Sequence, residues 1–311
     1  MDYRRVGSSG LKVSAFSFGG WLTLGGSVER SVSETLVRAA IDLGINFVDL
    51  ADVYSGGEAE RVVGEAIRGL DRTKLVLSSK VFFPMSDDPN DRGLGRKHIF
   101  TSIDRTLRRL GTDHLDIYFC HREDPDTPLE ETAQAMTDLV RQGKILYWGT
   151  SEFGSKTLLK LQAITHLRSL VNPSVEQPQY NLLHRGIEKR LLPIARHLGT
   201  GIVVWSPLAG GLLTGKYEEG VPSRSRGAAT TFLRRDLNEA NLGKVKRLKA
   251  IALDLGCTPA QLALAWILRR PEISSVILGA TSLEQLTSNV KALEVQGTEE
   301  TWQELERTFP R

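Results

Sequence analysis

The sequence predicts an α/β protein of the (β/α)8 TIM-barrel class, with an N-terminal β-hairpin and loop and helix additions toward the C-terminus. Three observations carry that expectation. Eight short β-rich runs recur along the 311 residues, stretches with helix-start signals lie between them, and the first run is not followed by the Gly-x-Gly-x-x-Gly turn of an open dinucleotide-binding sheet.

Taken in order, Tyr3-Arg-Arg-Val6 and Leu11-Lys-Val13 are two extended pieces around the turn Gly7-Ser-Ser-Gly10, the pattern of a hairpin. The β-rich runs follow at residues 15–19, 45–50, 75–81, 115–121, 145–150, 174–179, 202–206 and 275–279. Ser31-Val-Ser-Glu34 and Thr127-Pro-Leu-Glu130 read as capping boxes, the second with Pro at the first helical position. Such alternation demands a parallel sheet, and eight repeats favour a closed barrel. After the first run the glycines are Gly19-Gly20 and Gly25-Gly26, a spacing that does not fit a Rossmann turn. No Pro- or Ser-rich linker divides the chain, so residues 1–311 are expected to form one domain, with an elaborated loop from about residue 216 to 241.

Composition narrows the function classes. The 41% hydrophobic and 25% charged content is that of a globular protein with a large core. A net charge of +3, from 40 basic and 37 acidic residues, gives no general attraction to nucleic acid or to an anionic membrane. Two cysteines, Cys120 and Cys257, are too few for a disulfide framework and lack metal-ligand spacing, which points to a reducing, cytoplasmic setting. The charged start Met-Asp-Tyr-Arg-Arg is no signal region, and no apolar run approaches the roughly 18 residues of a membrane span.

In a barrel of this kind the chemistry sits where strands end at the C-terminal face. Asp49 closes the second β-rich run, Tyr54 lies five residues on, Lys80 closes the third run and His121 the fourth. A phenol with an ordinary pKa of about 10 needs help to move a proton near neutral pH. An ammonium beside it lowers that pKa, a carboxylate holds the ammonium charged, and an imidazole can position a carbonyl oxygen. Singly, each residue has an ordinary structural explanation; their shared location on adjacent strands makes them a candidate catalytic set. The run Gly210-Gly-Leu-Leu-Thr-Gly215-Lys216-Tyr217 has the glycine and lysine spacing of a nucleoside triphosphate loop, but Tyr217 stands where that loop needs Ser or Thr for magnesium.

The motifs Asn46-Phe-Val-Asp49-Leu-Ala-Asp-Val-Tyr54, Leu77-Ser-Ser-Lys80, Asp116-Ile-Tyr-Phe-Cys-His121, Gly149-Thr-Ser151, Glu176-Gln177, Trp205-Ser-Pro-Leu208 and Gly279-Ala-Thr281 make the chain resemble the aldo-keto reductases over its full length. Arg96-Lys-His-Ile99, Asp124-Pro-Asp-Thr-Pro128, Met136, Tyr147-Trp-Gly-Thr-Ser151 and Gly215-Lys-Tyr217 bring it nearest the branch of the potassium-channel β subunits and the bacterial reductases of glyceraldehyde 3-phosphate and methylglyoxal. The animal channel subunits differ in having Asn where this chain has His121 and Arg where it has Glu152. The chain also opens at the hairpin, where some channel subunits carry a long pore-blocking extension, so an enzyme is expected rather than a channel plug.

The resemblance implies NADPH as cofactor and a small aldehyde or ketone as substrate. It places Gly279, Thr281, Gln285 and Asn289 at the adenosine phosphates and Lys216 and Arg226 near the 2′-phosphate. Trp205 would lie against the nicotinamide, Ser151 and Gln177 would bond its carboxamide, and Asp49, Gly20, Trp21, Ser206, Pro207, Leu208 and Gly210 complete the expected cofactor contacts. Trp21, Tyr54 and His121 would face the substrate. For Ser282 and Gln285 the competing explanation is a capping box. Association with a membrane channel is the second reading that the resemblance carries, and the sequence leaves self-association open.

Overall fold

The computed structural model of the chain describes residues 1–218, 220–222, 233 and 235–311. Strands β1 (Tyr3–Arg5) and β2 (Lys12–Ser14) pair antiparallel, with Arg4 opposite Val13, as the expected hairpin. Eight parallel strands then close a barrel: β3 (Phe16–Gly19), β4 (Phe47–Asp49), β5 (Val76–Val81), β6 (Leu115–Cys120), β7 (Ile145–Ser151), β8 (Val175–Gln177), β9 (Gly201–Val204) and β10 (Ile273–Leu278). Each strand pairs with the next, and β10 closes on β3 through Val276 opposite Phe16. The fold class expected from the alternation is the fold observed.

Helices follow the strands on the outside: α1 (Arg30–Asp42), α2 (Glu58–Ala66), α3 (Arg96–Leu110), α4 (Leu129–Arg141), α5 (Ser155–Leu167) and α6 (Leu191–Leu198). Between β9 and β10 run α7 (Glu239–Asp254) and α8 (Pro259–Leu268), and after β10 come α9 (Leu283–Val290) and α10 (Glu299–Thr308). In α1 and α3 apolar residues recur every three or four positions, as with Leu36, Val37 and Ala40 or Ile99, Ile103 and Leu110, giving one stripe to bury, whereas α8 is buried on all sides from Gln261 to Leu268. Inside the barrel Phe47, Val76, Ile117, Phe119, Val175 and Val203 form a second apolar cluster. The barrel is therefore packed through its centre, and large-to-small changes in such a layer typically cost about 2–5 kcal/mol.

The hairpin caps the N-terminal face. Ser8 N donates to Gly199 O at 2.8 Å, and Arg4 Nη1 and Nη2 donate to the carbonyls of Ile273 and Leu268 at 2.9 and 2.8 Å. Gly7 has φ +56, and a Cβ there would stand 2.1 Å from Gly199 O, so this approach requires glycine. With that end closed, the C-terminal face is where a cleft forms.

Both expected capping boxes are corrected. The first turn of α1 begins at Arg30, with Glu29 as its cap and no side-chain cap bond, and Ser31 lies inside the helix, its carbonyl accepting from Thr35 Oγ1 at 2.9 Å. Pro128 is itself the cap of α4, with ψ 129, because Thr127 Oγ1 donates to Asp124 Oδ2 at 2.7 Å instead of turning toward the helix. A full capping box with Pro at its first position occurs at Thr258-Pro-Ala-Gln261. Among the described residues no single helix is long and apolar enough to cross a membrane.

Candidate active site

Register places Asp49 beside Ser78 on neighbouring strands, with Lys80 two residues further along β5. Lys80 is fully buried and Asp49 is 2% exposed. The ammonium uses all three of its N–H groups: Lys80 Nζ donates to Asp49 Oδ2 at 2.7 Å, to Leu50 O at 2.6 Å and to Tyr54 Oη at 3.2 Å. Asp49 Oδ1 in turn accepts from Ser78 Oγ at 2.7 Å and Gln177 Nε2 at 2.9 Å. Burial alone would drive the Lys80 proton off, but Asp49 and Tyr54 outweigh it and hold the ammonium above its ordinary pKa.

Tyr54 reaches this pair because the segment after β4 is tied to β5. Leu50 N donates to Ser78 O at 3.0 Å and Asp52 N to Lys80 O at 3.2 Å, and the chain then turns sharply with Ser55 at φ 50 and Gly56 at φ 63. The phenol is pushed above its ordinary pKa, burial being the larger influence and Lys80 the opposing one. Lys80 does lower it, as expected, but burial in the same dry layer outweighs that effect, so the expected net lowering is corrected to a rise. In the free protein Tyr54 thus retains its proton.

His121, one residue past the end of β6, packs edge-on against Tyr54, centroids 5.9 Å apart, and against Phe83 at 4.9 Å. Burial, Lys80 and Arg122 hold its pKa well below the ordinary value, so the imidazole is neutral, and its buried Nδ1 has no hydrogen-bond partner. A neutral ring can donate one N–H toward a carbonyl oxygen.

Asp49, Tyr54 and His121 border a cleft of about 780 Å³ that also carries Trp21, Ser151, Gln177, Trp205, Lys216 and Asn289, with Lys80 buried behind them. Of the expected contacts, Ser206, Pro207, Leu208, Gly210, Gly279, Thr281 and Gln285 line it as well. Gly20 does not join them. Its N–H donates to Asp49 O at 3.0 Å, and its Cα packs so closely on Leu50 that a Cβ would come within 2.7 Å of Cδ2. Arg226 lies outside the described residues. Ser282 caps α9 by accepting from Gln285 N at 3.2 Å, while the Gln285 side chain accepts from Thr281 N at 3.0 Å, so only half of the expected box forms. Tyr217 is buried and its hydroxyl donates to Gly210 O at 3.3 Å, a packing role that removes the phosphate-loop alternative.

Among the wall residues that the sequence did not single out are Phe83 and Arg122. Arg122 directly follows His121, and that adjacency was the available signal. Reasoning from sequence also missed what Glu152 does: its Oε1 accepts from Trp205 Nε1 at 2.8 Å and Gln179 N at 2.6 Å, fixing the indole at the cleft edge from a backbone position with φ 59.

Comparison with known proteins agrees with this architecture. The model of the family described as "Aldo/keto reductase family" matches residues 15–308. The "Putative voltage-gated potassium channel subunit beta" of Schizosaccharomyces pombe is 45% identical over 305 residues, covering 94% of this chain and 88% of the relative. The "Probable voltage-gated potassium channel subunit beta" of Oryza sativa subsp. japonica and its namesake from Arabidopsis thaliana are each 43% identical over 302 residues, covering 95% of this chain and 92% of the relative. On the match across nearly its whole length, the chain belongs to the aldo/keto reductase family of oxidoreductases.

Proposed function

We propose that this protein reduces small aldehydes and ketones with NADPH, and that Tyr54 supplies the proton. The observation that carries the reading is the buried Lys80 ammonium, bonded at once to Asp49, Leu50 O and the Tyr54 hydroxyl. The cleft fits a nicotinamide dinucleotide. At one end Gln177 gives its N–H to Asp49, leaving its amide oxygen to accept from a carboxamide, and Ser151 Oγ, which donates to Gln177 O at 2.9 Å, retains acceptor capacity. At the other, Lys216 and the N-terminal turn of α9 offer a cation and free backbone N–H groups for phosphate. Lys216 with Arg226 supports the choice of NADPH over NADH.

When bound, the nicotinamide supplies the hydride. The protein's own groups handle the oxygen. His121, neutral, orients the carbonyl by donating one N–H. Tyr54 gives up its proton as negative charge develops on that oxygen, and Lys80 Nζ, already donating to the phenol oxygen, stabilises the phenolate formed; Asp49 keeps Lys80 charged throughout. The raised pKa of free Tyr54 serves reduction, since the donor stays loaded at neutral pH. The same reading treats residues 1–311 as one domain, and the two free cysteines suit a cytoplasmic setting.

A second reading is favoured by the relatives' names: a subunit that holds NADPH and reports redox state to a potassium channel. One experiment separates them. A steady-state screen of small aldehydes and ketones with NADPH is run beside a stopped-flow measurement of cofactor release. Turnover faster than release of unreacted NADPH on at least one carbonyl supports the reductase; tight retention with no turnover on any carbonyl refutes it in favour of the sensor.

A further inference from the structure

We propose that Arg122 is a specificity residue that binds a carboxylate carried by the aldehyde or ketone substrate. The proposal rests on the reductase reading above and narrows its substrate class.

Arg122 leaves β6 immediately after His121 and lines the same end of the cleft as Trp21, Val53, Tyr54 and Phe83. Its guanidinium is held in place from two sides. Nη1 donates to the His121 carbonyl and, at 3.5 Å, to Ser151 Oγ, and the group lies 5.7 Å from the Phe83 ring centroid. Its other edge, Nε with Nη2, bonds to none of the described residues, and no carboxylate among them lies within 4 Å of the guanidinium. The contrast with Lys80 is sharp: that ammonium is matched by Asp49 at 2.7 Å, whereas Arg122 carries its charge half-buried without a counter-charge among the described residues. A cation partly shielded from water and without a counter-charge among the described residues favours a ligand that brings the anion.

The cofactor's phosphates are not that anion. In the barrel order β6 stands four strands from β10 in both directions, so Arg122 lies across the mouth from Gln285 and from Lys216, which follow β10 and β9. What reaches Arg122 is a molecule occupying the Tyr54 and His121 end. Among the described residues lining that end Arg122 is the single cation; a phosphate dianion is usually met by more than one such partner. One planar, two-pronged edge with one positive charge matches a carboxylate monoanion.

The test compares 4-carboxybenzaldehyde with its neutral isostere 4-formylbenzamide as NADPH-dependent substrates of the parent, Arg122→Leu, Arg122→Gln and Arg122→Lys. Benzoate and benzamide binding to the NADPH-loaded proteins is measured alongside by calorimetry. We expect the parent to prefer the carboxylate, and Arg122→Leu to lower kcat/KM for it about ten- to hundred-fold more than for the amide, chiefly through KM. Arg122→Lys should restore part of the preference. Arg122→Gln keeps a donor for the His121 carbonyl and serves if the leucine variant does not fold. Equal losses on both substrates, or a parent with no preference for carboxylate or benzoate, overturn the proposal while the reductase reading stands. Benzoate binding that depends on Arg122, with neither aldehyde reduced, leaves the anion site in place and removes the reductase reading.

Discussion

Replacing Tyr54 by Phe removes one hydroxyl and keeps the ring, and the structure sets how much of each property should follow it. The bond lost is the longest of the three from Lys80, 3.2 Å against 2.7 Å to Asp49 and 2.6 Å to Leu50 O, so the ammonium keeps its two closest acceptors. A bond of that kind contributes about 0.5–1.5 kcal/mol net, and the fall in Tm should be no more than a few degrees. The ring contacts with His121 at 5.9 Å and with Lys80 Nζ at 4.9 Å do not involve the hydroxyl and should persist. Catalysis is a different matter: a positioned general acid typically contributes about 10²–10⁴-fold, equivalent to about 3–5 kcal/mol of barrier. The assay is single-turnover oxidation of NADPH by an aldehyde, where chemistry limits the rate, with NADPH affinity from a fluorescence titration. The expected result is a rate lower by two to four decades at near-parental affinity. A parental rate under those conditions would falsify the assignment of Tyr54 as proton donor, and a large loss of NADPH affinity would mean the phenol supports the cofactor rather than the proton transfer.

Three further outcomes are expected. His121→Asn should slow carbonyl reduction and leave cofactor affinity almost unchanged; unaltered kinetics would make His121 a packed strand-end residue. Lys216→Ala combined with Arg226→Ala should weaken NADPH binding by about 1.5–3 kcal/mol for each charge-assisted contact and NADH binding much less, and equal loss for both cofactors would refute a role at the 2′-phosphate. Burial pushes Glu176 from an ordinary 4.5 up to about 8, against the opposing bonds from Thr150 Oγ1 and Phe153 N. Its folded pKa is raised, so the native state binds more protons than the unfolded chain between those values, and stability should fall as pH rises through that window. Glu176→Gln keeps an acceptor for Phe153 N–H and removes the slope. Urea denaturation should show the variant gaining on the parent between pH 4 and pH 9, by at most about 5 kcal/mol at 1.36 kcal/mol per pKa unit; parallel profiles would show that Glu176 does not titrate there.

The barrel was legible because it is written in repeated local patterns. Eight β-rich runs such as those around Phe47 and Ile117, alternating with helical stretches, leave few arrangements that bury both faces of every strand. Asp49, Lys80 and His121 were legible for a related reason: in a parallel barrel every strand ends at the same face, so polar residues at strand ends are neighbours whatever their distance in sequence. Local signals failed where a side chain had a better partner out of sequence range. Thr127 was read as a cap, yet its hydroxyl faces Asp124.

Electrostatics and orientation belonged to the tertiary structure alone. The sequence placed an ammonium beside a phenol and so predicted a lowered phenol pKa, whereas burial of the whole layer reverses the sign. Nothing in the order of residues says that Lys80 has three acceptors or that Arg122 has one edge without a partner among the described residues. Which strands form, and in what order, is determined by patterns a few residues long; how charged groups meet depends on distances and desolvation that exist only once β4, β5, β6 and β8 are closed into one wall, and those decide what the site can bind.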